Sequence, residues 1–232
     1  MNLNLNNFIS TYCNRTSSLY QRYLQVVEWN SIAGNGTHDL SDDKYKLQVG
    51  FVCEEYQELL DAIEENNVVE IYDALGDLFV VLSYLCYLDS AREQLVIYAT
   101  DFVPTTTFVF GFANNLRLSK DQYRNALLDQ DHIDDGYLWH ELDLLMGTIV
   151  NTKNCIECLD EVIRSNLTKY PVVGTVDPEK ECEYIESKGR YTGITFKTSK
   201  IGDVEYYVFV DCNGKIMKPS TMQNPNISTI IY

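Results

Sequence analysis

The chain has 232 residues, with 18 lysines and arginines against 34 aspartates and glutamates, for a formal net charge of −16. That balance excludes a nucleic-acid polymer as partner, because duplex binding needs clustered lysine and arginine to neutralise phosphates. The length permits one large or two small domains. No apolar run is expected to reach the ~20 residues of a membrane span, and the opening MNLNLNNF has neither the basic nor the apolar region of a signal peptide.

Residues 3–30 predict an amphipathic helix with Phe8, Ile9, Tyr12, Leu19, Tyr23, Val26 and Val27 turned inward. Trp29 to Gly36 reads as a loop, since Asn35-Gly36 favours a tight turn. Ser41-Asp42-Asp43 predicts the N-cap of the next helix, with Lys46 and Gln48 in its first turns.

From Gly50 to Asp89 the sequence predicts two helices joined by the polar turn Glu64-Glu65-Asn66-Asn67. Residues three and four apart share a helix face, so Glu54, Glu55 and Glu58 form one acidic row beside Val52, Tyr56, Leu59, Leu60 and Ile63. Glu70, Asp73 and Asp77 form a second row beside Ile71, Leu75, Leu78, Phe79 and Leu82. A turn this short makes the helices antiparallel neighbours. With both apolar stripes in one core, the acidic rows face each other. Two like charges 4 Å apart repel by about 1 kcal/mol in water and more in a protein cleft. Oxygen-only ligands on rigid helices suit a hard divalent cation, and magnesium best, since it is usually held by a few carboxylates together with substrate phosphates. The alternative is a solvated acidic face.

From Asp89 to about Tyr98 the second helix is expected to continue or restart, and to break at DFVPTTT around Pro104. Lys120 to Leu128 is helix-like, and Asn114, Asn115, Arg117 and Lys120 faintly echo a later SNLTK. Tyr137 to Lys169 is again helical, with stripes Leu138, Leu142, Leu145, Met146, Ile149 and then Ile156, Leu159, Val162, Ile163. Arg164, Asn166 and Lys169 close it, and basic groups suit a helix C-terminus whatever their function. Tyr191–Lys197, Val204–Val210 and Lys215–Lys218 predict a three-stranded antiparallel meander. The seven cysteines read as reduced thiols of a cytoplasmic protein. The lone pair Cys155 and Cys158 lacks the partners of a zinc site.

Glu55-Tyr-Gln-Glu58 followed by Glu70-Ile-Tyr-Asp73 resembles the ExxE…ExxD signature of the all-α nucleoside triphosphate pyrophosphohydrolases, the superfamily of MazG, dimeric dUTPases and phosphoribosyl-ATP pyrophosphohydrolase. Residues 160–169, DEVIRSNLTK, and 211–219, DCNGKIMKP, are similar to the EVHRSNMSK-type and DGKVLKP-type segments of its phage and bacterial MazG-like branch. The resemblance implies a mainly α fold. Residues 1–170 would be a MazG-like helical bundle, with 90–150 an insertion or degenerate second hairpin, and 171–232 a small β-rich appendage. It also implies hydrolysis of a nucleoside triphosphate to monophosphate and pyrophosphate. Glu55, Glu58, Glu70 and Asp73 would hold Mg²⁺, or Mn²⁺ as a substitute, with Asp77 as an additional ligand. Glu54 is the first choice of general base.

Trp29, Asn30 and Asn35 would approach the base, Trp29 being equally a core anchor. Lys46, Arg164, Asn166 and Lys169 complete the substrate-binding candidates. The expected partner is a small nucleotide, and the chain is expected to be a possible homo-oligomer. A catalytically silent nucleotide-binding or anti-defence protein retaining the same carboxylates is the competing reading. A di-iron bundle would need Glu-x-x-His on two helices, and no histidine here follows a glutamate by three.

Overall fold

The computed structural model describes residues 17–33, 41–93, 116–128 and 137–232. Expectations for residues 3–16, for Asn35, for the Pro104 break, and for Asn114 and Asn115 lie outside them. The described chain is mainly helical, with one small antiparallel sheet toward its C-terminal end. In chain order it has α1 (Ser17–Ile32), α2 (Asp42–Glu64), α3 (Val68–Glu93), α4 (Lys120–Leu128), α5 (Tyr137–Asn151), α6 (Cys155–Leu167) and α7 (Pro178–Ser187). These are followed by β1 (Thr195–Ile201), β2 (Val204–Val210) and the short α8 (Ser228–Ile231).

Helix α3 is central, packing against α1, α2, α5 and α6. Its apolar positions Leu75, Leu78, Phe79, Leu82 and Leu85 are buried, and the α2 stripe Val52, Tyr56 and Leu59 meets them. The N-cap of α2 forms as expected, with Ser41 Oγ accepting from the Lys44 amide at 3.2 Å and Asp42 and Asp43 in the first turn. At the hairpin turn Asn66 takes φ 53°, a left-handed conformation that asparagine tolerates better than most residues. A second hairpin, α5 to α6, turns through Asn154 at φ 62° and packs on α3. Helix α4 docks on α2 by stacking Tyr123 on Tyr56, ring centroids 4.1 Å apart.

Three expectations are corrected, and one helix was not foreseen. The loop read from Trp29 begins later, because α1 runs on to Ile32. There the Asn30 amide donates to the Val26 carbonyl one turn back, 2.9 Å, so a residue that often ends helices bonds within this one. The segment Val68–Asp89 is long and apolar enough to cross a membrane, contrary to the expectation, but most of it is buried inside the bundle. The three-stranded meander is a two-stranded sheet pairing Thr195 with Val210 through Ile201 with Val204. Its third member is reduced to a single bridge between Val210 and Ile216. Finally, α7 was not foreseen, although Asp177 caps it and Pro178 starts it, a common helix-start pairing.

The sheet packs back on the body through Val208, which joins Ile32, Ala33 and Tyr170 in one apolar cluster. Beyond the sheet, Ile227 enters the main core. The segment between them lies across α6, held by hydrogen bonds from the Gln223 amide to Thr168 Oγ1 at 2.9 Å and from the Asn226 amide to Glu161 Oε1 at 2.8 Å.

Helices α3 and α6 approach closely at Gly76, where an added Cβ would stand 2.7 Å from Val162 Cγ2 and 3.0 Å from its Cβ. The β-branched valine has little freedom to move aside. Gly76→Ala gains about 1 kcal/mol of helix propensity, but overpacking of this kind costs about 1–3 kcal/mol. It is expected to lower the thermal midpoint in the wild-type background and to raise it in a Val162→Ala background. Differential scanning calorimetry of the four proteins checks this, and the same sign in both backgrounds would contradict it.

Candidate active site

The two acidic rows face one another. Glu55 is partly buried, and its carboxyl is pushed up to about 8, first by burial and then by Asp77 and Glu58, with Lys169 opposing. Glu58 is raised by burial and by Asp77, and lowered in turn by Lys218. Asp73 is pushed up to about 7 by burial, Asp77 and Glu70, again opposed by Lys218. Asp73 Oδ1 is buried without a hydrogen-bond partner. Asp77 therefore bears on carboxylates of both rows and stands where they meet. Carboxyls at such values bind protons because that relieves a crowding of like charge.

Helix α6 supplies the opposing groups. Asn166, 6% exposed, donates through Nδ2 to Asp77 Oδ1 at 3.1 Å, and its Oδ1 accepts from the Lys169 ammonium. Lys169 is lowered by desolvation and supported by Asp77 and Glu55. Trp29 completes this corner. Its indole N–H donates to the Asn166 carbonyl at 3.2 Å, its ring packs edge-on to Tyr170 at 5.3 Å, and the Lys169 ammonium lies 5.9 Å from its centroid. The close approach at Gly76 brings Asp77 within reach of Asn166.

A cavity of about 250 Å³ opens beside this network. Glu70, Asp73 and Asp77 of α3 line one wall, and Ser165, Asn166 and Lys169 the second. Lys218, Met222, Asn224, Pro225 and Ile227 line the third. Glu55 and Glu58 lie outside its lining and meet it through Asp77.

Other candidates stand elsewhere or are engaged. Glu54, half-exposed, pairs with Lys215 at 3.4 Å. Asn30 is buried with its amide spent inside α1. Lys46 is exposed on α2, two turns before the carboxylates. Arg164 forks onto Glu161 with two 2.7 Å bonds and reaches Gln223 Oε1 at 2.7 Å, so it ties the crossing segment to α6. Lys215 and Lys218 were missed as site residues. Their signal was the DCNGKIMKP segment itself, which carries both lysines.

Among the described residues no three His, Cys, Asp or Glu side chains stand in a metal-ligating cluster. The donor set is nonetheless the all-oxygen kind that suits a hard divalent cation, and the unpartnered Asp73 oxygen is available to one. Ligation by Glu55 and Asp73 requires their carboxylate forms, which a bound cation favours. Cys155 and Cys158, by contrast, are core thiols pushed up to about 12 and about 11 by burial.

Residues 45–107 match the family model of the MazG nucleotide pyrophosphohydrolase domain. The chain is also 22% identical over 239 residues to the uncharacterized protein L479 of Acanthamoeba polyphaga mimivirus, an alignment spanning 90% of this chain and 95% of that protein. No solved structure matches.

The raised carboxyls set a pH dependence. Glu55 and Asp73 bind protons more tightly in the folded chain than at their ordinary 4.5 and 3.8. Their protonated forms therefore favour the fold below about pH 4, and that advantage is lost as pH rises through about 7 and 8. In a chelating buffer the thermal midpoint is expected to fall between about pH 5 and about pH 8, with Glu55→Gln flattening the decline. A midpoint that rises over this range in both proteins would refute the crowding.

Proposed function

We propose, from the match of the carboxylate hairpin to the MazG nucleotide pyrophosphohydrolase domain model, that the chain is a nucleoside triphosphate pyrophosphohydrolase. It would convert a (d)NTP and water into a (d)NMP and pyrophosphate. The supporting observation is the meeting of both acidic rows at Asp77, directly bonded to an amide that also holds a lysine. Anionic and cationic walls on one groove suit a ligand that brings both charges, as a magnesium nucleotide does.

In this reading Glu55, Glu58, Asp73 and Asp77, with Glu70 beside them, hold Mg²⁺, or Mn²⁺ in its place. Once bound, the ion supplies Lewis-acid polarisation of phosphoryl oxygens and activation of water. Water adds at the α-phosphorus, the bond to the α,β-bridging oxygen breaks, and pyrophosphate leaves. A carboxylate left unligated would take the proton of the attacking water; Glu54, the first candidate from the sequence, would have to leave its ion pair with Lys215 to do so. Lys169 offsets the charge that grows on the leaving group, and Asn166 fixes Lys169 and Asp77 relative to each other. Trp29 supports Asn166 and Lys169 from behind. A cytoplasmic setting fits the free thiols among the described cysteines.

The test is pyrophosphate release from a panel of NTPs and dNTPs with Mg²⁺. Glu58→Gln and Asp77→Asn are each expected to lower kcat by at least roughly 100-fold, the scale of losing a group that acts in the transition state, while retaining a cooperative thermal transition. Wild-type protein that releases no pyrophosphate from any nucleotide would favour the silent nucleotide-binding reading.

A further inference from the structure

The crossing segment between the sheet and α8 does more than cover α6. Lys218 sits between two buried neighbours, Met217 and Pro219. The Met217 amide donates to the Phe209 carbonyl at 2.9 Å. Ser220 is fastened by Glu181, whose Oε2 accepts the Ser220 amide at 2.7 Å. Downstream, Gln223 and Asn226 are bound to α6 through Arg164, Thr168 and Glu161, and Ile227 is 1% exposed in the core. A lysine held between such anchors loses little backbone freedom when it engages a ligand, which is how a preorganised contact gains affinity.

Lys218 is also the cation of this segment that reaches the acidic groove. With Lys169 and Asn166 it lines the 250 Å³ cavity opposite Glu70, Asp73 and Asp77. That volume is below the roughly 300–1,000 Å³ of pockets that enclose a whole drug-sized ligand. It suits two phosphate groups better than a nucleoside with its triphosphate. The carboxylate wall repels a bare polyphosphate, whereas a divalent-cation complex satisfies both walls.

We propose that the cavity beneath the crossing segment is the seat of the pyrophosphate moiety, and that Lys218 binds it together with Lys169 while the nucleoside lies outside. The seat rests on the hydrolase reading for its place in the reaction, but its ligand is testable without turnover. Arg164 is then a positioning residue that keeps Lys218 in place through Gln223 and Glu161.

The probe is inorganic pyrophosphate with Mg²⁺, measured by isothermal titration calorimetry on the full chain. Wild type is expected to bind it. Lys218→Ala is expected to bind at least tenfold more weakly and Lys218→Arg within about threefold of wild type. Lys197→Ala, which removes an exposed charge on β1, should leave binding unchanged. Where nucleotide is turned over, Lys218→Ala should raise KM more than it lowers kcat and should relieve product inhibition by pyrophosphate. Arg164→Ala is expected to weaken pyrophosphate binding less than Lys218→Ala does. Equal affinity in wild type and Lys218→Ala, or no binding to wild type, overturns the seat whether or not the chain hydrolyses nucleotides. Lys218-dependent binding in a chain that turns over nothing upholds the seat and overturns the hydrolase reading alone.

Discussion

Charges of one sign crowded into one groove govern this molecule. Carboxylates that approach to about 4 Å repel by about 1 kcal/mol in water and by about 4 kcal/mol at the effective dielectric near a protein surface. The chain carries six carboxylates along two adjoining helices, Glu54, Glu55, Glu58, Glu70, Asp73 and Asp77, and answers in two ways. Burial and like-charged neighbours push the carboxyls of Glu55 and Asp73 up to about 8 and about 7, so that taking up a proton relieves the repulsion. Cationic side chains arrive from distant parts of the sequence, Lys169 from the end of α6 and Lys215 and Lys218 from beyond the sheet. The second hairpin and the crossing segment are both arranged to bring those cations in.

Helix α3 has to serve two opposing demands. It is apolar enough over 22 residues to pass for a membrane span, because four helices pack around it and little of its surface meets water. Glu70, Asp73 and Asp77 nevertheless occupy one of its faces. Their cost is contained because the face opens into the cavity and not into the packed core. Gly76 sits in this helix next to Asp77. There the missing side chain, a liability for helix propensity, lets α6 come near enough for Asn166 to reach Asp77.

Local spacing made the hairpin legible. Glu55, Glu58, Glu70 and Asp73 declare their faces through intervals of three and four, and the turn at Asn66 declares the reversal. The Ser41 cap and the stripes of α5 and α6 were readable for the same reason. What escaped the sequence depends on partners far away in the chain. Asp77 looked like an outlying member of its row, and only the packing of α6 on α3 brings it to Asn166, 89 positions later. Arg164 shares its helix end with the other substrate-binding candidates Asn166 and Lys169, yet its guanidinium is taken by Glu161 and Gln223. The loop signal at Asn30 failed because a buried asparagine can return its amide to the preceding helical turn. The third strand failed because Asn213-Gly214 leads into a chain that pairs once and then leaves for α6.

The fastening of that crossing chain has a further consequence. One of its links to α6 is the Arg164 guanidinium, which reaches Gln223 while forked onto Glu161 of its own helix; that arginine side chain is 43% exposed, against 18% for its glutamate, and exposed ion pairs are weakened by dissolved electrolyte. At physiological ionic strength the screening length is about 8 Å, and at 1 M it is about 3 Å. One wall of an inward-facing pocket is thereby tied to the bulk solution by an outward-facing joint. Concentrated brine would loosen the tie at Gln223 before it disturbed the apolar interior that holds Ile227.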